Sequence, residues 1–222
     1  DKKMINTVKE YIPEQSSIYE FSNIDNSNSN LVFVGEMELD GMFGFETIST
    51  RLLKKFGTES MLSAYEKRKG NIPSPGQDVE SFQIAKKFSK KFDILAIEII
   101  ANSSGIYDLS VGHPSSTSSL SKSFAEYAIK NIDKHKTMII STGKEASNNT
   151  FSKSLSSLWN CSNAIKDDGF AILLAECKFG IGSDGIQSFI DGRINMDHLK
   201  KPSQYIDGME NLLYITETQK KF

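Results

Sequence analysis

The sequence predicts an α/β protein: an α+β first portion containing a β-hairpin, followed by a Rossmann-like portion with a parallel sheet. Three observations predict it. "DILAIEIIA", "NSSG" and "IYDLSVG" follow one another over 93–112 as two β-rich runs around a short turn. Val79, Phe82, Ala85, Phe88 and Phe92 recur at helical spacing beneath a lysine-rich outer face. The last ninety or so residues alternate strand, helix, strand, helix, strand patterns, and such alternation requires crossovers between parallel strands.

Taken in chain order, "SNIDNSNSN" (22–30) is rich in turn-forming Asn and Ser and reads as a loop. "LVFVGEM" opens a short buried strand at 31–35 that closes on Gly35. Helical spacing runs from Gly44 to Phe56, with Gly57 as stop and Thr58 as N-cap of the next helix. That helix, "ESMLSAYEKRK", carries its basic residues in the last turn and Gly70 just beyond, which suits the helix dipole and a C-terminal cap. "NIPSPG" is a connection, and a helix is predicted over 77–91. After the hairpin, Leu120, Phe124 and Tyr127 mark a further helix.

In the second portion, "KTMIISTG" (136–143) is a strand and Thr150 to Ile165 a helix. "DDG" is a turn, "FAILLAE" a strand, Asp184 to Asp191 a helix and "NLLYIT" a final strand. The division falls near residue 132, giving portions 1–132 and 133–222 without an internal repeat. A start at Asp1 suggests a fragment of a longer chain with an N-terminal part missing.

Composition narrows the function classes. Lysine plus arginine total 26 against 28 acids, interspersed along the chain, so no basic face is present to hold a phosphate backbone, and nucleic acid is excluded as a partner. No apolar run approaches the roughly 18 residues a membrane span needs, and no signal-peptide layout opens the chain. A cytoplasmic protein is expected. Cys161 and Cys177 read as reduced thiols. His113, His135 and His198 lie far apart without metal-ligand spacing, so no metal site is expected. His113 is read as shaping a turn, and the other two as solvent-facing.

Ligands of open parallel sheets bind beyond the carboxyl ends of the strands. "STGK" at 141–144 and "AECKFGIGSDG" at 175–185 are two such ends, which makes Gly143, Lys144, Gly180 and Gly182 candidate binding residues. Glycines there either let a ligand approach the backbone or only turn the chain. G-x-G is a weak signal by itself, and no dinucleotide-binding turn is expected. Glu176, at the end of a strand read as buried, needs a ligand or loop amides as partner. Cys177 lacks an assignable base and is not read as a nucleophile.

Several stretches resemble the nickel-dependent lactate racemase family. "DDGFAILLAECKFGIGS" is similar to the family segment "GG-T-IILVAEC-x-G-G", and "KTMIISTGKEASNNTFSKSLSSL" to the strand and helix before it. "ILAIEIIANSSGIYDLSVGHP" resembles the family hairpin ending in "AGD", and "GEMELDGMFGF" the motif "G-x-I-E-P-H-Y-F-A-G-F". The likeness spans roughly residues 30 to 190. It implies a nickel pincer nucleotide tethered to a lysine, a histidine completing the metal's coordination, and two histidines exchanging protons with a 2-hydroxy acid.

Carried over residue by residue, the motif histidine falls on Asp40, after Glu38. The tethering lysine falls on Thr50, with Arg51, Lys54 and Lys55 nearby, and the metal-ligand histidine falls near Tyr65 or Glu66. The family's substrate-contacting glutamine and lysine fall on Lys153 and Ser156. Every mapped position is changed, so the expectation is a racemase-like domain without the pincer cofactor or the isomerase activity, binding a small hydroxylated or anionic molecule. An exposed aspartate titrates near ~3.9 and is no substitute for imidazole as a neutral-pH base.

Two alternatives stand beside that expectation. One is a diverged enzyme on hydroxy or sugar acids using Glu38, Asp40, Lys54, Lys153 or Glu176, which requires these side chains to share one cleft. The other is an assembly module, which requires a filled strand-end cleft and a broad exposed apolar patch. Lys54 and Lys153 also fit solvated helix faces, and Asp40 also fits a simple turn ahead of Gly41.

Overall fold

The structure, a computed structural model, describes residues 31–69, 76–102, 105–143 and 148–221. The fold is α/β, as the patterning predicts. β1 (Leu31–Glu36) runs parallel to β4 (Ile94–Asn102), and β4 pairs antiparallel with β5 (Gly105–Gly112), giving a mixed sheet of order β1-β4-β5. The short hairpin of β2 (Glu38–Asp40) and β3 (Gly44–Glu46) follows β1 directly. Three helices come between it and β4: α1 (Ile48–Phe56), α2 (Thr58–Arg68) and α3 (Glu80–Ser89). α4 (Ser118–Ala128) follows β5.

In the second portion β6 (His135–Ser141), α5 (Phe151–Cys161) and β7 (Ile165–Leu174) form one parallel crossover unit. A parallel pair cannot be closed by a tight turn, so the helix between the strands is obligatory. Three helices complete the chain: α6 (Asp184–Ile190), α7 (Met196–Lys200) and α8 (Met209–Lys221).

Five details differ from the sequence expectation. "NLLYIT" is not a strand but part of α8. The helix predicted from Gly44 starts at Ile48, because Gly44 to Glu46 pair with β2 and Thr47 caps the helix through a Thr47–Thr50 capping box. Thr58 lies inside α2, whose preceding residue is Gly57. α5 stops at Cys161, and the predicted "DDG" turn is a bulge within β7 where Asp168 takes φ 58° and the pairing skips from His135↔Ile165 to Thr137↔Phe170. The "NSSG" turn includes Ser103 and Ser104, and Gly70 follows α2; these three lie outside the described residues.

One apolar core joins both portions. Met37, Phe43, Leu52, Leu53 and Tyr65 belong to the same cluster as Trp159, Leu199, Met209 and Tyr214. Trp159 donates its indole N–H to Asn211 at 2.7 Å, which anchors α5 on α8. Tyr65 donates to the Leu199 carbonyl at 2.6 Å and thereby ties α2 to α7. Among the described residues, no helix is long and apolar enough to cross a membrane.

The outer faces of both sheets remain apolar and open. Alternation along the strands directs Ala96 and Ile100 inward and Val32, Leu95, Leu109 and Val111 outward, where they stay exposed. On the second sheet Ile139 and Phe170 are 67% and 65% exposed, with Ile172 and Leu174 beside them. "LVFVG" is therefore a strand buried on one face only. Ile100→Ala is expected to cost about 3 kcal/mol in urea unfolding, because it leaves a core cavity, whereas Leu109→Ala should cost under about 1 kcal/mol. Equal losses at the two positions would mean that the outer face is covered.

Candidate functional site

The sequence-predicted residues Glu38, Asp40 and Lys54 come together where the β2–β3 hairpin folds onto α1. Asp40 Oδ1 accepts from the amides of Met42 and Phe43 at 2.8 and 2.7 Å, which closes the hairpin turn. Its second oxygen accepts from Lys54 Nζ at 2.8 Å. Lys54 reaches it because the Thr47 capping box starts α1 immediately after β3, which places the helix's last turn over the turn at 40–43. Glu46 stands 4.0 Å from Lys54 and 3.3 Å from Arg51 Nε, and Arg51 Nη2 donates to the Glu36 carbonyl at 2.8 Å.

The C-terminal segment adds further acids. Tyr205 donates to Glu210 Oε2 at 2.9 Å, and Asp207 and Glu210 both face Lys54 electrostatically. A cluster of charge thus forms, with Glu38, Asp40, Glu46, Asp207 and Glu210 around Lys54 and Arg51. Burial works against the Lys54 ammonium, but Asp40 and Glu46 outweigh it and hold its pKa above the ordinary lysine range. Glu46 is held low, first by Lys54 and then by Arg51, with Lys153 adding to the effect against its burial.

The remaining acids shift the other way. Glu38 is exposed, but desolvation by the surrounding protein, reinforced by Glu46, still raises it. Asp207 is exposed, and desolvation by the surrounding protein raises it despite Lys54. Glu210 is pushed up to about 7 by burial and by Asp207. Tyr205, buried beside Glu210, is raised well above its usual value. Carboxyls with separated pKa values in one half-buried cluster are the arrangement from which acid and base roles are built.

The glycine junction is used differently. Phe151 and Ser152, at the start of α5, donate their amides to the carbonyls of Gly180 and Ile181 at 2.9 Å each, and Lys153 N donates to the Thr150 hydroxyl at 3.3 Å. Cys177 and Phe179 amides donate to the carbonyls of Asn148 and Asn149, both at 2.9 Å. Asn148 Oδ1 accepts from Glu176 N at 2.6 Å and from the Thr142 hydroxyl at 2.8 Å, so both predicted strand ends meet on one asparagine. Glu176 itself is exposed, with the Asn148 amide 3.3 Å from Oε2. The strand it follows is open on one face, which removes the burial that made it conspicuous in sequence.

Gly180, Gly182 and Gly185 do stand at G-x-G-x-x-G spacing, the spacing of a dinucleotide-binding turn, contrary to the sequence expectation. Gly180 and Gly182 take φ +77° and +67°, and a Cβ on Gly182 would lie 2.4 Å from Thr150. The amides beyond them are already engaged: Gly185 N donates to the Asp207 carbonyl at 2.9 Å and Ile186 N to Ser183 Oγ at 3.2 Å. The turn wraps the start of α5 and leads into a helix of 7 residues. Gly143 is exposed at φ +71°, and Lys144 lies outside the described residues.

Thr50, where the resemblance puts a tethering lysine, is fully buried and donates its hydroxyl to the Thr47 carbonyl at 2.9 Å. His113 shapes a turn, its Nδ1 accepting from Ser115 N at 3.2 Å. His135 and His198 are exposed, and Cys161 and Cys177 are free thiols. Sequence reasoning missed Glu46, Tyr205, Asp207 and Glu210. The one local signal for the latter group is the Asp207-Gly208 turn, where Gly208 takes φ +85° ahead of α8.

No protein-family model and no curated protein matches the sequence. Among solved structures the fold is similar to the lactate racemase apoprotein from Thermoanaerobacterium thermosaccharolyticum, with a TM-score of 0.65 and 16% identity. That match covers 87% of this chain and 50% of the racemase chain, so the protein has a lactate-racemase-like fold and spans half the length of the enzyme it resembles.

Proposed function

We propose that the chain is a racemase-like domain that has exchanged nickel-pincer chemistry for a metal-free polar cluster around Lys54, which binds a small hydroxylated molecule. The observation that carries this is the Asp40–Lys54 pair at 2.8 Å, formed at the position where the resemblance expects a proton-exchanging histidine. The pincer nucleotide does not fit the residues present. Thr50 has its hydroxyl engaged in the capping box, and Lys54 is held as an ammonium, which is not a nucleophile for a covalent tether. Among the described residues there is no group of three or more His, Cys, Asp or Glu able to hold a metal. Five carboxyls against Lys54 and Arg51 favour hydroxyl donors over an anionic ligand.

Intact-mass spectrometry and metal analysis of protein made in cells that synthesise the pincer cofactor test the reading. An unmodified, nickel-free chain without lactate racemisation is the expected result. Stoichiometric nickel with a covalent adduct would restore the racemase assignment.

A second reading, an assembly module, is favoured by the open apolar sheet faces and by the hydrogen bonds that occupy the strand-end junction. Its partner would be a protein surface with an apolar patch complementary to these faces. The isolated chain would then bind a hydrophobic dye, and Leu109→Lys with Val111→Lys would reduce that binding, leaving the share held by Ile139 and Phe170 on the other sheet, without lowering the melting temperature. Absence of dye binding to the unchanged chain would remove this reading.

A further inference from the structure

A concave site lies away from Lys54, between α3, α4 and the β2–β3 hairpin. It is a groove of about 460 Å³, within the range of small-molecule sites. Phe45 and Phe82, both 3% exposed, supply its floor, and their ring centroids are 6.0 Å apart. Ala125 from α4 forms part of one wall. Its chemistry is asymmetric: the floor is apolar and the rim is cationic.

Lys86 from α3 and Lys122 from α4 stand on the rim from opposite helices. Lys86 Nζ lies 4.9 Å over the Phe82 ring, so its charge is held at the edge of the aromatic floor and not extended into solvent. Among the described residues, neither lysine has a carboxylate within ion-pair distance. Asp78 also lines the groove, but its Oδ1 accepts from Gln83 Nε2 at 2.8 Å. Two cations facing one hydrogen-bonded carboxylate leave the rim net positive in a chain whose overall charge is −2.

We propose that this groove binds a small amphipathic anion, a carboxylate or phosphate monoester carried on an aromatic or short aliphatic body. The body would lie on Phe45 and Phe82 and the anionic head would bridge Lys86 and Lys122. Both parts are needed: an exposed lysine pair holds a free anion weakly, and a floor whose two rings are each only 3% exposed holds a neutral body weakly. The occupant follows from charge complementarity with the two lysines and is independent of what the Lys54 cluster binds.

The test is an NMR titration of the whole chain with phenylacetate and with phenyl phosphate, using acetate, inorganic phosphate and benzyl alcohol as the separated head and body. Expected are saturable shifts at Phe45 and Phe82 with one or both amphipathic probes; the stronger of the two identifies the head group. Acetate, phosphate and benzyl alcohol should bind at least about tenfold more weakly. Lys86→Met with Lys122→Met should weaken binding about five- to tenfold, and Ala125→Trp should abolish it by filling the groove. Both lysines are at the surface, so the double lysine variant retains the fold even where the tryptophan variant does not. Equal binding of benzyl alcohol, no effect of removing both lysines, or no saturable shift at millimolar probe would overturn the proposal.

Discussion

Glu210→Gln is expected to stabilise the protein at pH 8 and to leave it nearly unchanged at pH 4. The carboxyl of Glu210 is pushed up from 4.5 to about 7, first by burial and then by Asp207. A carboxyl raised on folding binds its proton more tightly in the native state. The native form therefore carries no penalty below pH 4.5, loses stability progressively between 4.5 and 7, and carries the full penalty above 7. Glutamine keeps an acceptor for the Tyr205 hydroxyl, which donates at 2.9 Å, while removing the charge. With discount for partial exposure, the gain at pH 8 is about 2 kcal/mol in urea unfolding. The groups facing Glu210 are Asp207, Lys54 and Tyr205, and the Asp207 carboxyl, raised in the same direction, adds to the wild-type decline with pH. A gain that is the same at pH 4 and pH 8 would show that the effect is packing and not ionisation.

Much of the fold is legible because its periodicities are local. The hairpin at 94–112 reads directly from two β-rich runs around a turn, and α3 reads from Phe82, Ala85 and Phe88, which are all buried. α8 is illegible for a physical reason. Met209, Leu212, Leu213 and Tyr214 are buried together with the polar Asn211 and Thr218, so the helix is covered on most sides and shows no clear 3.6-residue stripe. The apolar run Leu212 to Ile215 inside it then looks like a strand, since short apolar runs do not distinguish the two. The start of α1 was hidden similarly. Phe45 falls in helical register with Ile48 and Leu52, and the true signal is a Thr-x-x-Thr capping box in place of the usual Ser/Thr-x-x-Glu.

The candidate site was half legible. Asp40 announces a turn and Lys54 a helix face, but their pairing across 14 residues depends on the hairpin folding back over α1, which no spacing rule encodes. Glu46 was invisible because it sat in a stretch read as helix. Asp207 and Glu210 were invisible because the segment bearing them was read as leading into a strand, which would have directed their side chains elsewhere. Glu176 was the reverse case: its residue type and position are conspicuous, yet the one-sided burial of β7 leaves it exposed.

Lys54→Met is expected to be the most damaging single change in the charged cluster, at about 2–4 kcal/mol at pH 8. Methionine preserves the stem that packs beside Phe43, whose ring centroid is 5.5 Å from Nζ, so the loss reports the charge and its hydrogen bond. Removing one partner of a buried pair leaves the other uncompensated and costs about 3–5 kcal/mol; the side-chain exposures of 26% for Lys54 and 12% for Asp40 reduce that. The stranded groups are Asp40, Glu46, Asp207 and Glu210, and the last two have raised pKa values that let them take up protons as pH falls. The cost must therefore shrink toward pH 5, opposite to what a lost packing contact would do. Combining Lys54→Met with Glu210→Gln distinguishes a shared network from independent contacts: the second change relieves part of the repulsion the first exposes, so the pair should be less destabilised than the sum by about 1 kcal/mol at pH 8 and by little at pH 5. Strict additivity at both pH values would show that Lys54 and Glu210 are independent and that Glu210 does not belong to the cluster.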